Sequence, residues 1–104
     1  MPSRKSVAVR LTGAALRVIS TQSPESRLSD QMLVNWYTDI LTGIEDASAS
    51  DADLEIVGEL TVSAIEAGQV ALSVENMPEA VLSSFTSIAE ELQRSQGAPG
   101  IRSI

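Results

Sequence analysis

The chain has 104 residues, no cysteine, no histidine and a net charge of −7. That length suits a single domain, 1–104, with one modest core, and the missing residue types exclude disulfides, thiolate nucleophiles, zinc–thiolate sites and every catalytic design built on imidazole. Trp36, Tyr37 and Phe85 are the only aromatics, so the core must come mainly from Leu, Ile, Val and Ala, which favours helix on helix.

The charges are separated along the chain. Arg4, Lys5, Arg10, Arg17 and Arg27 precede Leu28, with Glu25 the only acid among them; from Leu28 to Gln93 there is no cation, and all the other acids fall there. A basic start, with residues 1–5 as an arm, precedes an acidic body. Charged residues also interrupt every apolar run before it reaches the roughly 18 residues a membrane span needs, so the protein is expected to be soluble and cytoplasmic.

The first helix is predicted over residues 6–20. At about 100° per residue, Val7, Ala8, Leu11, Ala14, Ala15, Val18 and Ile19 share one face and Arg10, Gly13 and Arg17 another. A hairpin about Thr12-Gly13 would split that apolar set between two faces. Ser23-Pro24-Glu25 is helix-start chemistry, with Ser29 as a second cap candidate, and a second helix is predicted over 24–47. Its apolar face holds Leu33, Trp36, Tyr37, Ile40, Leu41 and Ile44.

Ser50 followed by Asp53 has the spacing of a capping box, and a third helix is predicted over 51–75. Its apolar side is wide, taking in Leu54, Ile56, Val57, Leu60, Ala64, Ile65 and Leu72 against a narrow stripe of Glu55, Glu59 and Glu66; such a helix is expected to be central and mostly buried. Gly68 offers an earlier end, with Val70, Leu72 and Val74 then alternating as a strand would, but the helical phase continues to residue 74. A fourth helix is predicted over 78–94 after the turn Asn76-Met77-Pro78, and residues 95–104 read as a mobile tail. The fold class is all-α, a small four-helix bundle.

Arg10 and Arg17 stand seven residues apart on one face, as Glu59 and Glu66 do on another. Glu55, Glu59 and Glu66 lack a cation three or four residues away, and Glu55 with Glu59 is a repulsive pair. One reading is that the arginine face of helix one, from the same chain or a second copy, lies along that stripe; because surface ion pairs contribute little, the favoured reading is that both faces are solvated. Trp36 and Tyr37 read either as core or as an anchor for a partner.

Asp51, Asp53 and Glu55 alternate as a calcium loop begins, but Ile56 stands where such a loop needs glycine, so capping is the better reading. Glu45-Asp46 and Glu90-Glu91 are adjacent on their helices and point about 100° apart, which prevents each pair from converging on one bond. The serines lack an activating base, since Lys5, the only lysine, sits at the terminus. No cofactor or metal is expected.

The basic arm has too few cations and no interleaved aromatics for a nucleic-acid footprint, and its arginine- and serine-rich, acid-poor character also fits an organellar transit peptide. Wide apolar faces on a short chain favour an oligomer. The expected function is non-enzymatic protein–protein interaction, as a homodimeric regulator or a small subunit of a larger assembly. The alternative is an acidic inhibitor that blocks a basic, nucleic-acid-binding site on another protein, as small phage-encoded inhibitors do.

Overall fold

The computed structural model describes residues 4–23, 27–47 and 50–96. They form four helices and no strand: α1 (Arg4–Gln22), α2 (Asp30–Glu45), α3 (Asp51–Glu66) and α4 (Met77–Gln96). The four-helix bundle is therefore as expected, and the differences lie at the helix ends and in which faces are covered.

α1 is longer than the periodicity suggests: Arg4 and Lys5, the only cations of the expected basic arm, belong to its first turn, and residues 1–3 lie outside the described residues. Arg4 has a structural task. Its Nη1 donates to the carbonyls of Ile44 (2.7 Å), Glu45 (3.1 Å) and Ala47 (3.2 Å). The last carbonyls of a helix have no partner within it, and α2 has no cation in its last turn, so α1 supplies one from a distance.

α2 starts at Asp30 rather than at residue 24, because Ser29 is its cap: the Ser29 Oγ accepts from the Met32 N–H at 3.2 Å, and Asp30 adds an acid to the first turn. Pro24 and Glu25 lie outside the described residues. At the next boundary the Ser50 Oγ accepts from the Asp53 N–H at 3.2 Å, which is half of the capping box that the spacing implies. Residues 48 and 49 of that break are outside the described set.

The largest correction concerns the end of α3. The helix stops at Glu66, and Gly68 takes the left-handed conformation with φ of 78°. There the Gly68 N–H donates to the Ile65 carbonyl (3.1 Å) and the Gln69 N–H to the Ala64 carbonyl (3.0 Å), a glycine-terminated helix end. Residues 69–75 form neither the helical continuation nor the strand. They are closed by Asn76, whose Oδ1 accepts from the Ser73 N–H (2.8 Å) while its own N–H donates to the Ser73 Oγ (3.3 Å). Leu72 is buried although it is not helical, so the apparent helical phase past Gly68 records burial.

α1 packs on α2 and α3, and α4 packs on the same two, while α1 and α4 meet only marginally across the bundle. The core draws on all four helices: Leu11 and Ile19 from α1, Trp36, Ile40 and Ile44 from α2, Leu54, Val57 and Ile65 from α3, and Val81 and Phe85 from α4. Thr61 is fully buried among them and keeps its hydroxyl satisfied by donating to the Val57 carbonyl at 2.7 Å.

α3 is thus not the mostly buried central helix that its width suggests. Ile56 and Leu60 remain 44% and 49% exposed, while Leu54, Val57, Thr61 and Ile65 pack inward and α1 lies along one flank. Gly58 explains how α1 takes that position: a Cβ there would stand 2.9 Å from Val7 Cγ1, so only glycine admits α1 so close. Gly43 makes a similar approach to Leu82 between α2 and α4.

Gly13, by contrast, sits inside α1 with open space beside it, and a Cβ added there would meet nothing within 4 Å. Gly13→Ala is expected to stabilise the fold by about 0.5–1 kcal/mol, through helix propensity and a less flexible unfolded chain. A rise in thermal midpoint is the readout.

Candidate functional site

The arginines of α1 meet α3 of the same chain. Arg10 Nη2 donates to Glu55 Oε1 at 2.7 Å, and Arg17 Nη2 to Glu66 Oε2 at 2.5 Å. Because Arg10 and Glu55 come early and Arg17 and Glu66 late, α1 and α3 run in the same direction along this seam. The stripe is used, but with Glu55 in place of Glu59 as the partner of Arg10. Helix geometry gives the reason: Glu59 lies about 40° further round α3 than Glu55, on the side away from the core, and it is exposed.

The two pairs differ in surroundings. Arg10 and Glu55 are 38% and 33% exposed, Arg17 and Glu66 66% and 49%. The inner pair meets end-on, leaving Arg10 Nε and Glu55 Oε2 buried without a partner, so it lacks the bidentate geometry that makes such pairs strong. Reversing both arginines, Arg10→Glu with Arg17→Glu, is expected to cost about 1 kcal/mol or slightly more, less in high salt. Light scattering should give the same mass as wild type, because the pairs lie within one chain. A fall in mass would show that they bridge copies instead.

Trp36 is a core residue, 6% exposed, and Tyr37 is half-buried against the same core. Neither stands out as a free anchor. Of the acids considered for calcium, Glu55 faces Arg10 and the Asp53 backbone serves the Ser50 cap; among the described residues no three carboxylates gather to hold a metal ion.

Sequence adjacency misses one juxtaposition. Asp46, at the end of α2, and Glu90, on α4, line the same open cleft of about 370 Å³, together with Gly43, Phe85, Ala89 and Gln93. Adjacent carboxylates on one helix diverge, whereas two helices can bring distant ones to one opening.

The exposed large apolar residues among those described are Val9 on α1, Val34 on α2, and Ile56 and Leu60 on α3, which alone share a helix. Ile56 and Leu60 are one turn apart and each nearly half exposed. Leu60, Ser63, Ala64 and Ala67 of this helix's side and end, with Gln69 and with Ile88 and Glu91 of α4, line a shallow groove of about 400 Å³. Large apolar side chains exposed side by side mark association surfaces more often than isolated ones do. The only hint in the sequence was an apolar face on helix three wider than one packing contact could cover.

Among the described residues no helix is long and apolar enough to cross a membrane. Compared with protein-family models, with curated proteins and with solved structures, the chain matches none of them.

Proposed function

We propose that this chain is a non-enzymatic protein–protein interaction module, a small regulator or subunit of a larger assembly, that docks through the outward side of α3. The observation that carries the reading is the pair Ile56 and Leu60, left open on a helix whose other large apolar residues, Leu54, Val57, Val62 and Ile65, are packed in or against the core. An apolar pair at one-turn spacing beside an interhelical groove is the form in which one helix receives another.

The acidic-inhibitor reading gains support from a different observation. Arg10 and Arg17 are turned onto α3 and Arg4 onto the end of α2, so three of the seven cations are occupied within the fold. Both readings place the chain against another protein. They differ in whether apolar contact or charge dominates, and salt sensitivity of binding separates them.

The test compares wild type with Ile56→Ser/Leu60→Ser by gel filtration of native extracts. Wild type is expected to elute well above the 11.0 kDa of one chain, and the double variant near it, with an unchanged circular dichroism spectrum. Purified wild type eluting at twice the chain mass would give the homodimeric form of the reading. Identical elution of a folded variant and wild type would contradict it.

A further inference from the structure

We infer that the α3–α4 groove receives a basic amphipathic helix of another protein, with its apolar side on Ile56, Leu60 and Ile88 and its lysines or arginines against Glu59 and Glu91. The inference rests on the interaction-module reading and adds the chemistry of the partner.

The apolar floor and its acidic edges come from the two helices together. On α3, Ile56 and Leu60 point outward, with Leu60 and Ala64 turned toward α4. Glu59 lies about 60° from Ile56 on the side facing away from α4, so it forms one edge. Glu91 lines the groove from the opposite helix and forms the other. Both acids are exposed, and among the described residues neither has an ion-pair partner: the pairs along α3 are Arg10 with Glu55 and Arg17 with Glu66. Arg94, the cation of α4, is the helical neighbour of Glu91 three residues on but makes no ion pair with it among the described residues, and it lies about 120° round the helix from Ile88, clear of the groove floor.

An apolar strip bounded on both sides by unneutralised acids is complementary to an apolar stripe flanked by cations. Ile56 and Leu60, about 6 Å apart along the axis at the helical rise, match the spacing at which a docked helix presents its own anchors. A second copy of this chain fits less well. Two copies meeting on this face would set the Glu59 and Glu91 edges of one near those of the other, and like charges across an interface are costly.

The test uses two fluorescent probe peptides of roughly 16 residues with leucines at helical spacing, one flanked by lysines and the other by glutamates, titrated with the full chain and followed by anisotropy at about 50 mM salt. The lysine peptide is expected to bind at least about tenfold more tightly than the glutamate peptide. Leu60→Ser should weaken it about fivefold or more, and so should Glu59→Gln/Glu91→Gln, whereas Asp39→Asn/Glu45→Gln on α2, an equal change of charge, should stay within about twofold.

Equal weakening by the α2 control would reduce the effect to diffuse attraction and overturn the inference. Equal binding of both peptides, lost with Leu60→Ser, would overturn the charge preference while leaving the docking face intact. Binding indifferent to Leu60→Ser would overturn the inference and count against the face itself.

Discussion

Leu11→Ala is expected to lower the stability of this protein by about 2–5 kcal/mol, the range for deleting a buried leucine side chain whose cavity cannot fully collapse. Leu11 is fully buried on α1, the helix that contacts both α2 and α3, so the void opens where three helices meet. For a domain of this size, each 1 kcal/mol moves the thermal midpoint by roughly 4–8 °C. The variant should therefore melt more than about 10 °C below wild type. A shift of a few degrees would mean that α1 packs far more loosely than its burial implies. The comparison is sharpest against Ile56→Ala or Leu60→Ala: their side chains are already half in water, so either should cost well under half as much.

Gly58→Leu is the second large effect, and it acts by excess volume. Even a methyl at this position would stand 2.9 Å from Val7 Cγ1, and Val7 is β-branched and therefore stiff about its first torsion. A leucine must push α1 outward or adopt a poor rotamer, at a cost of about 1–3 kcal/mol or more, which exceeds the gain of less than about 1 kcal/mol from removing a helical glycine. Displacing α1 also pulls Arg10 away from Glu55. The expected result is a lower urea midpoint together with weakened exchange protection of α1 amides. Stabilisation by Gly58→Leu would show that the seam is not closely packed. Gly13→Ala is its natural control, the same residue type in the same pair of helices with open space around it.

These two residues also show how far the sequence could be read. Leu11 was assignable to the core because α1 repeats its apolar residues at the helical period and its charges fall opposite. Gly58 was not assignable to a helix contact, since a glycine within a helical pattern looks the same whether it faces a neighbour or water. Periodicity also misled at Leu72: it keeps the phase of α3 because it is buried, while Gly68 has already ended the helix. The width of an apolar face was the other source of error. On α3 it promised burial of all but a narrow acidic stripe, but with α1 admitted at Gly58 and α4 on the other flank, Ile56 and Leu60 are left half exposed.

The candidate surfaces were legible in part. Matched seven-residue spacings brought Arg10 and Arg17 to the acidic stripe, yet spacing could not fix the register between helices, and Glu55 took the place assigned to Glu59. Trp36 could be placed on an apolar face, but whether that face was core or interface required knowing what covers it. The groove of Leu60, Ala64, Ile88 and Glu91 joins residues of two helices, and no pattern along one chain segment contains it.

The most direct measurement is site-specific photo-crosslinking in the native cell, with the reactive group at position 60 and a control at Asp39, which is exposed on α2. An interaction module docking through α3 should give one discrete adduct from position 60 that disappears with Ile56→Glu, and none at that mass from position 39. No adduct from position 60 beyond the Asp39 background would contradict it.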